Sequence, residues 1–217
     1  MLRVYRKLLP LVRRVLQWGE GKSDRIRALT GPRAGLLARW QRADLGENRI
    51  WVHVSSVGEL EQVRPMLEGL KGKGFSILLS YFSSSVPRLV REWDFVKFAD
   101  YLPLDFPEEM EALMALVKPR LLVLNRYDIW PNHLAAAARH GVPVVLVNAS
   151  TPPIGWFGAV SLWVRRRLFR SVDAWTFVDA AAAAAWEPYV FDRVRGVVAG
   201  DPRVDRVLQR VDRALQE

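Results

Sequence analysis

Glu59 is the first residue whose type and setting could do chemistry. It ends the segment Ser55-Ser56-Val57-Gly58-Glu59, which directly follows the apolar run Ile50 to Val54. Ser55, Ser56 and Gly58 are small enough to let backbone approach a ligand, and a glutamate entering a helix there lies near free amide donors. Two roles fit such a carboxylate: accepting a proton from a substrate, or opposing the helix macrodipole. Four further segments gather polar residues behind apolar runs: Ser83-Ser84-Ser85, Leu102-Pro103-Leu104-Asp105, Arg126-Tyr127-Asp128-Ile129-Trp130-Pro131-Asn132 and Asn148-Ala149-Ser150-Thr151-Pro152-Pro153. Among them Trp130 suits core packing as well as ligand contact, and Asn132 suits a helix start.

Other chemistries lack their residues. There is no cysteine, so a disulfide framework, a thiolate metal cluster and a cysteine nucleophile are excluded. No Gly-x-Gly-x-x-Gly follows the first apolar run and no P-loop occurs, so the usual nucleotide fingerprints are missing and no cofactor is expected on these residues. The three histidines, His53, His133 and His140, have no metal spacing, and no metal is assigned. His53, inside a strand, reads as a satisfied core residue.

The elements that must position these segments alternate along the chain. Seven apolar runs read as strands: Ile50 to Val54, Phe75 to Tyr81, Phe95 to Tyr101, Leu121 to Asn125, Val142 to Asn148, Trp175 to Val178 and Val194 to Ala199. Each is nearly continuous in apolar character, as strands covered on both faces are, and the intervals are long enough for crossover helices. Pro107, Pro131 and Pro202 sit where a first-turn proline starts a helix. The alanine run 180–186, ending in Trp186, predicts a tightly packed helix. The fold class is α/β, a doubly wound, mostly parallel Rossmann-like sheet. In such a sheet ligands bind beyond the carboxyl ends of the strands, where all five polar segments fall.

The formal charge of +9 is confined to the start of the chain: residues 1–42 carry eleven Lys or Arg against two acids, and the remainder sums to zero. On a helical wheel Arg3, Arg6, Lys7, Arg13 and Arg14 share one arc, and the other arc is apolar from Leu2 to Trp18. Five cations in eighteen positions exclude a spanning helix. An interfacial helix fits, its apolar side in the acyl boundary and those five cations on anionic headgroups; docking of that apolar side on the domain is the alternative. Residues 1–42 thus read as a basic amphipathic arm and connector, with Gly31-Pro32 as a turn, and residues 43–217 as one Rossmann-like domain. An electroneutral core without a reader motif argues against nucleic acid as the partner.

Five motifs in order resemble the Kdo transferases (3-deoxy-D-manno-octulosonic acid transferases). His53 through Glu59 resembles the histidine-bearing first strand followed by Ser-Val-Gly-Glu, and Leu102-Pro103-Leu104-Asp105 resembles Leu-Pro-Tyr-Asp. Trp130-Pro131-Asn132 matches part of Leu-Trp-Pro-Asn, Asn148-Ala149 part of Asn-Ala-Arg, and Gly200-Asp201-Pro202-Arg203-Val204-Asp205-Arg206-Val207 resembles Gly-Asp-Thr-Arg-Phe-Asp-Arg-Val. The resemblance implies the amino-terminal, acceptor-binding half of a GT-B glycosyltransferase. It gives Glu59 the role of catalytic base and places Ser55, Ser56, Gly58, Asp128, Trp130, Asn132 and Asn148 around a lipid-linked, lipid A-like acceptor. The CMP-activated sugar donor would bind a second, carboxy-terminal domain or a partner chain. The resemblance also implies peripheral attachment at the cytoplasmic face of a bacterial inner membrane.

Two stretches depart from the family pattern. Where the family has Glu-Thr-Glu this chain has Arg126-Tyr127-Asp128, and the arginine after Asn-Ala is Ser150. Both changes bear on how an acceptor is recognised. A rival reading is a non-catalytic module that keeps the fold and binds a glycolipid or a protein partner.

Overall fold

In the computed structural model the described residues are 2–126, 128–152, 168–189 and 195–204. Tyr127, Pro153, Val194, Asp205, Arg206 and Val207, each within a segment read above, lie outside them. The chain opens with helices α1 (Leu2–Glu20), α2 (Asp24–Thr30) and α3 (Leu36–Arg42), with the 3-10 turn Gly31–Arg33 before α3. Alternation follows as β1 (Arg49–Val54), α4 (Val57–Leu70), β2 (Ser76–Tyr81), α5 (Val86–Val90), β3 (Phe98–Tyr101), α6 (Pro107–Val117), β4 (Leu121–Asn125), α7 (Pro131–Arg139) and β5 (Val144–Ala149). Further along lie β6 (Ala174–Phe177), α8 (Ala180–Trp186) and β7 (Arg195–Val198).

The seven strands form one sheet, ordered β3-β2-β1-β4-β5-β6-β7, and every ladder is parallel. Burial on both faces explains the continuous apolar runs. Ile50, Val52 and Val54 of β1 pack with Leu60, Val63 and Leu67 of α4 on one face. Trp51, with Leu122 and Leu124 of β4, packs on the other face with Met110, Leu113 and Leu134 of α6 and α7. Pro107 and Pro131 open α6 and α7 as expected, because a first-turn proline gives up no helical hydrogen bond. Asp179 caps α8, its Oδ1 accepting from the Ala182 N–H at 2.6 Å. The third strand is shorter than its apolar run: the ring of Phe95 stacks on Trp93 at 5.1 Å and pairing starts only at Phe98.

The connector is built more firmly than its composition suggests. Leu36 and Trp40, on the arm side of the expected boundary at residue 42, are core residues, and the Trp40 ring meets Phe98 edge-on at 4.9 Å. Arg33 donates to the carbonyls of Leu102 (2.8 Å), Phe82 (3.2 Å) and Leu29 (2.6 Å), and Arg39 grips Asp100 through two nitrogens at 2.7 and 3.1 Å. Part of the basic excess is therefore internal bracing.

The same holds for two of the five cations expected to meet a membrane. Arg6 donates to Asn132 Oδ1 at 2.7 Å, and Arg13 pairs with Glu108 and lies 4.1 Å over the Phe106 ring. They turn inward because α1 lies on the domain along the side bearing Tyr5, Arg6, Leu9 and Arg13, none of them exposed, and only Arg3, Lys7 and Arg14 keep exposed positions. The apolar arc divides as well: Leu9 is buried, while Val4, Leu8, Leu11, Val12, Val15 and Trp18 remain exposed. No helix among the described residues is long and apolar enough to cross a membrane.

Candidate active site

Parallel pairing puts the carboxyl ends of all seven strands on one edge, and the strand order turns between β1 and β4. A crevice opens at such a turning point. The segments that border it here carry Ser55, Ser56 and Glu59 on one side and Arg126, Asp128 and Trp130 on the other.

Glu59 stands in the first turn of α4. Its N–H donates to Ser56 Oγ at 3.3 Å, and its Oε2 accepts from the Ser55 N–H at 2.7 Å. This reciprocal arrangement is close to a capping box, so the structural role open to Glu59 is realised. It occupies one oxygen only: Oε1 makes no hydrogen bond among the described residues. Ser56 and Gly58 beside it are exposed. Burial lifts the Glu59 carboxyl above the usual carboxylate range, against the Ser55 N–H bond; the charge of Asp128 lifts it further, and His53 and Arg126 pull it down. The helix terminus alone would have lowered it, so desolvation wins.

Asp128 faces Glu59 across the crevice. Its Oδ2 accepts from the Ser55 hydroxyl and lies 3.2 Å from His53 Nε2. Burial pushes this carboxyl up, but the close contact with the His53 ring, the charge of that ring and the Ser55 hydroxyl outweigh it, and the net shift is downward. Asp128 is thus an ionised acid beside a carboxyl of raised pKa. Environments that push two carboxyl groups in opposite directions are a usual mark of acid–base sites.

Asn132 does not join them. It is fully buried, its N–H donates to Asp105 at 3.0 and 3.1 Å, and its Nδ2 donates to the Asp105 carbonyl at 2.6 Å. Asp105 also accepts from the His133 N–H at 3.1 Å, so a carboxylate from the loop after β3 caps α7. Two of the motifs quoted above, Leu-Pro-Leu-Asp and Trp-Pro-Asn, are therefore halves of one clasp. The expected acceptor role of Asn132 gives way to this, because its polar groups are used inside the domain. Trp130 takes the packing role, half-buried and stacked on Phe82 at 5.6 Å and 14°.

Asn148 lies at the end of β5, next to the crevice. It and Arg126 both adopt left-handed backbone, with φ of 58° and 57°. A side chain other than glycine is uncommon there, and two such residues on neighbouring strand ends mark a constrained edge. Asn148 Nδ2 donates to Asn125 Oδ1 at 2.9 Å, and Arg126 Nη2 donates to Ser150 Oγ at 3.1 Å. Two of the positions that depart from the family pattern, 126 and 150, are in contact.

Sequence reasoning named Glu59 and Asp128, which the structure brings together, but read His53 as a core residue and Arg126 as a mere departure, and did not single out Ser80. His53 and Arg126 both act electrostatically on Glu59. The other buried histidine, His133, is held neutral: burial and then the charge of His53 bring it down to about 3. No cluster of His, Asp or Glu among the described residues could hold a metal ion. A cleft of about 360 Å³ lies away from Glu59, lined by Arg13 and Leu16 of α1 together with Arg33 and Phe106.

Known structures share this architecture. UDP-GlcNAc 2-epimerase from Neisseria meningitidis, bound to UDP-GlcNAc, superposes with a TM-score of 0.55 at 13% identity, over 76% of this chain and 50% of that one. The MnaA–UDP co-structure from S. aureus gives 0.56 at 16% identity, over 73% and 46%. Acinetobacter baumannii MurG gives 0.50 at 11%, over 71% and 46%. These likenesses establish the fold: a Rossmann-like half of the kind found in GT-B proteins. In sequence, the 3-deoxy-D-manno-octulosonic acid transferase of Bordetella pertussis is 32% identical over 128 residues, 50% of this chain and 28% of that protein. Its counterpart in Aquifex aeolicus (strain VF5) is 35% identical over 101 residues, 46% of this chain and 28% of that protein. The matched stretch is thus little more than a quarter of each relative's length. A family model described as 3-deoxy-D-manno-octulosonic-acid transferase (kdotransferase) covers residues 30–206, most of the chain. With the motifs on the crevice edge and this coverage together, the chain belongs to the Kdo transferase family, within its amino-terminal domain.

Proposed function

We propose that this domain is the acceptor side of an inverting glycosyltransferase, which moves a sugar from a CMP-activated donor to a lipid-linked, lipid A-like acceptor. Glu59 is the base. Its Oε1 takes the proton of an acceptor hydroxyl as that oxygen attacks the anomeric carbon, and CMP leaves with the bonding pair from the opposite face. The donor is held by a further domain or a partner chain. The observation that carries this reading is the Oε1 of a partly desolvated carboxylate at the strand-order crevice, which makes no hydrogen bond among the described residues. A raised pKa makes Glu59 a better proton acceptor near neutral pH, and general-base help is worth about 10²–10⁴-fold. Ser56, Gly58, Asp128 and Asn148 border the acceptor, with Arg126 and Ser150 adjusting its recognition.

In the complete transferase Glu59→Gln should lower turnover by at least about 10²-fold with an unchanged fold. Full turnover in that variant would remove the assignment.

The arm serves the same reading. Burial of Leu9 contributes about 2 kcal/mol to holding α1 on the domain, yet six large apolar side chains stay exposed on that helix. A membrane surface of anionic lipid suits that face and the exposed Arg3, Lys7 and Arg14, at about 1 kcal/mol per charge near the surface. Peripheral binding at the cytoplasmic face of the inner membrane follows. Replacing Leu8, Leu11, Val15 and Trp18 by serine should abolish sedimentation with anionic vesicles; unchanged sedimentation would refute the membrane contact.

A further inference from the structure

The crevice rests on a line of polar groups that runs back into the core. Trp51 Nε1, which can only donate, lies 2.8 Å from Ser80 Oγ. Ser80 Oγ lies 3.0 Å from His53 Nδ1, and the Ser80 carbonyl oxygen 3.1 Å from the same nitrogen. Trp51, Ser80 and His53 are all fully buried. Beyond His53 the line continues to Asp128, then through the Ser55 hydroxyl to the Ser55 N–H and Glu59.

Donor and acceptor capacity fixes its direction. If the Ser80 hydroxyl donates to Nδ1, the neutral imidazole carries its proton on Nε2, facing Asp128. If Nδ1 instead donates to the Ser80 carbonyl, the neutral ring turns the Nε2 lone pair toward the Asp128 carboxylate, an unfavourable contact. The first arrangement is therefore favoured, with the proton on Nε2 on the Asp128 side, 3.2 Å from Oδ2 but too bent for a hydrogen bond, so the link is electrostatic. Trp51, Ser80 and the Nδ1 side of His53 form a fully buried, satisfied and therefore stiff polar chain, whose far end, Nε2, acts on Asp128 through charge. It leads to the crevice, where Ser55 is held from three sides: its hydroxyl by Asp128, its carbonyl by the Ser83 N–H at 3.1 Å, and its N–H by Glu59.

We propose that His53 and Asp128 are positioning residues for Glu59: His53 orients the Asp128 carboxylate, Asp128 grips the Ser55 hydroxyl, and the Ser55 N–H then fixes one oxygen of Glu59 and leaves the other free. This rests on Glu59 being the base. The grip crosses the crevice between residues 73 apart in sequence and ties the loop after β1 to the loop after β4. His53 is therefore more than packing, although it is as buried as any core residue.

Ser55→Ala provides the cleanest test, because it removes the grip without altering any charge. The groups acting electrostatically on Glu59 are Asp128, His53 and Arg126, and all three remain. In the 217-residue chain, the residue-55 amide should exchange with solvent about tenfold faster in this variant. The Glu59 carboxyl, followed by ¹³C NMR, should titrate roughly half a pH unit higher, because the residue-55 amide, no longer held in place, bonds its ionised form less well. His53→Leu should reproduce the fast exchange, and His53→Gln, which keeps a donor toward Asp128, should restore slow exchange. A merely space-filling His53 would give the reverse order, with leucine tolerated. Wild-type exchange and titration in Ser55→Ala would overturn the proposal, even if the histidine variants failed to fold. None of these readouts needs turnover, so they stay separate from the Glu59→Gln test: an active Glu59→Gln enzyme removes the base, whereas an unmoved Ser55 amide removes the positioning.

Discussion

Glu59 and Asp105 are both carboxylates at the start of a helix, and burial raises both above the usual range. Their oxygens differ. Asp105 accepts from the Asn132 and His133 amides, the Asn132 side chain and the Tyr5 hydroxyl, and it is 6% exposed. Glu59 bonds to a single amide through Oε2, and its neighbours Ser56 and Gly58 are exposed. A raised pKa therefore does not separate structure from chemistry in this domain. What separates them is whether an oxygen is left over, facing the edge where the strand order turns.

That comparison can be broken most directly at Asp105. Asp105→Ala should cost about 3 kcal/mol, seen as a fall of several degrees in thermal midpoint, because it leaves two buried amides at the α7 start and the Tyr5 hydroxyl without their acceptor. The Glu59 titration should stay where it was; a moved one would mean that clasp and site are one unit. The pH dependence comes next. The Asp105 carboxyl rises from 3.8 to about 6, chiefly through desolvation, against hydrogen bonds from Asn132, Tyr5 and His133. With the folded value above the unfolded one, its contribution is fully present below pH 3.8 and is lost as pH rises through about 6. The size is up to about 3 kcal/mol. A ¹³C titration of Asp105 with its midpoint at the ordinary carboxylate value would refute this. The smallest effect belongs to Ser56→Ala, which removes the α4 cap and should cost about 1 kcal/mol in denaturant unfolding. A loss as large as that of Asp105→Ala would make the Glu59 loop a stability element first.

The arm offers the same contrast on a coarser scale. Its exposed cations and apolar stripe suit a surface outside the protein, whereas Arg6, Arg13, Arg33 and Arg39 brace the domain from within. Charge counting alone cannot divide these groups, because the two kinds alternate along one basic stretch.

Much of the fold was legible because it is local. Runs such as Leu121 to Asn125 are apolar throughout since both faces of the strand are covered, and Pro107 and Pro131 mark helix starts by their missing N–H. The carboxyl-end rule then put Glu59 on the edge formed by the strands' carboxyl ends before any coordinates. Phe95 to Lys97 misled because apolar residues can stack on one another, as Phe95 does on Trp93, without entering a ladder.

The sequence by itself determined the alternation of strands and helices, the edge formed by the strands' carboxyl ends and the presence of a carboxylate there, since each depends on residue type and short spacing. The tertiary structure alone decided which polar residues are already used. Asn132 is closed by Asp105 from 27 residues away, and Ser55 is held by Asp128 from 73. Such pairs form because the sheet order brings distant loops together, and a hydrogen bond satisfied inside the domain is unavailable to a substrate.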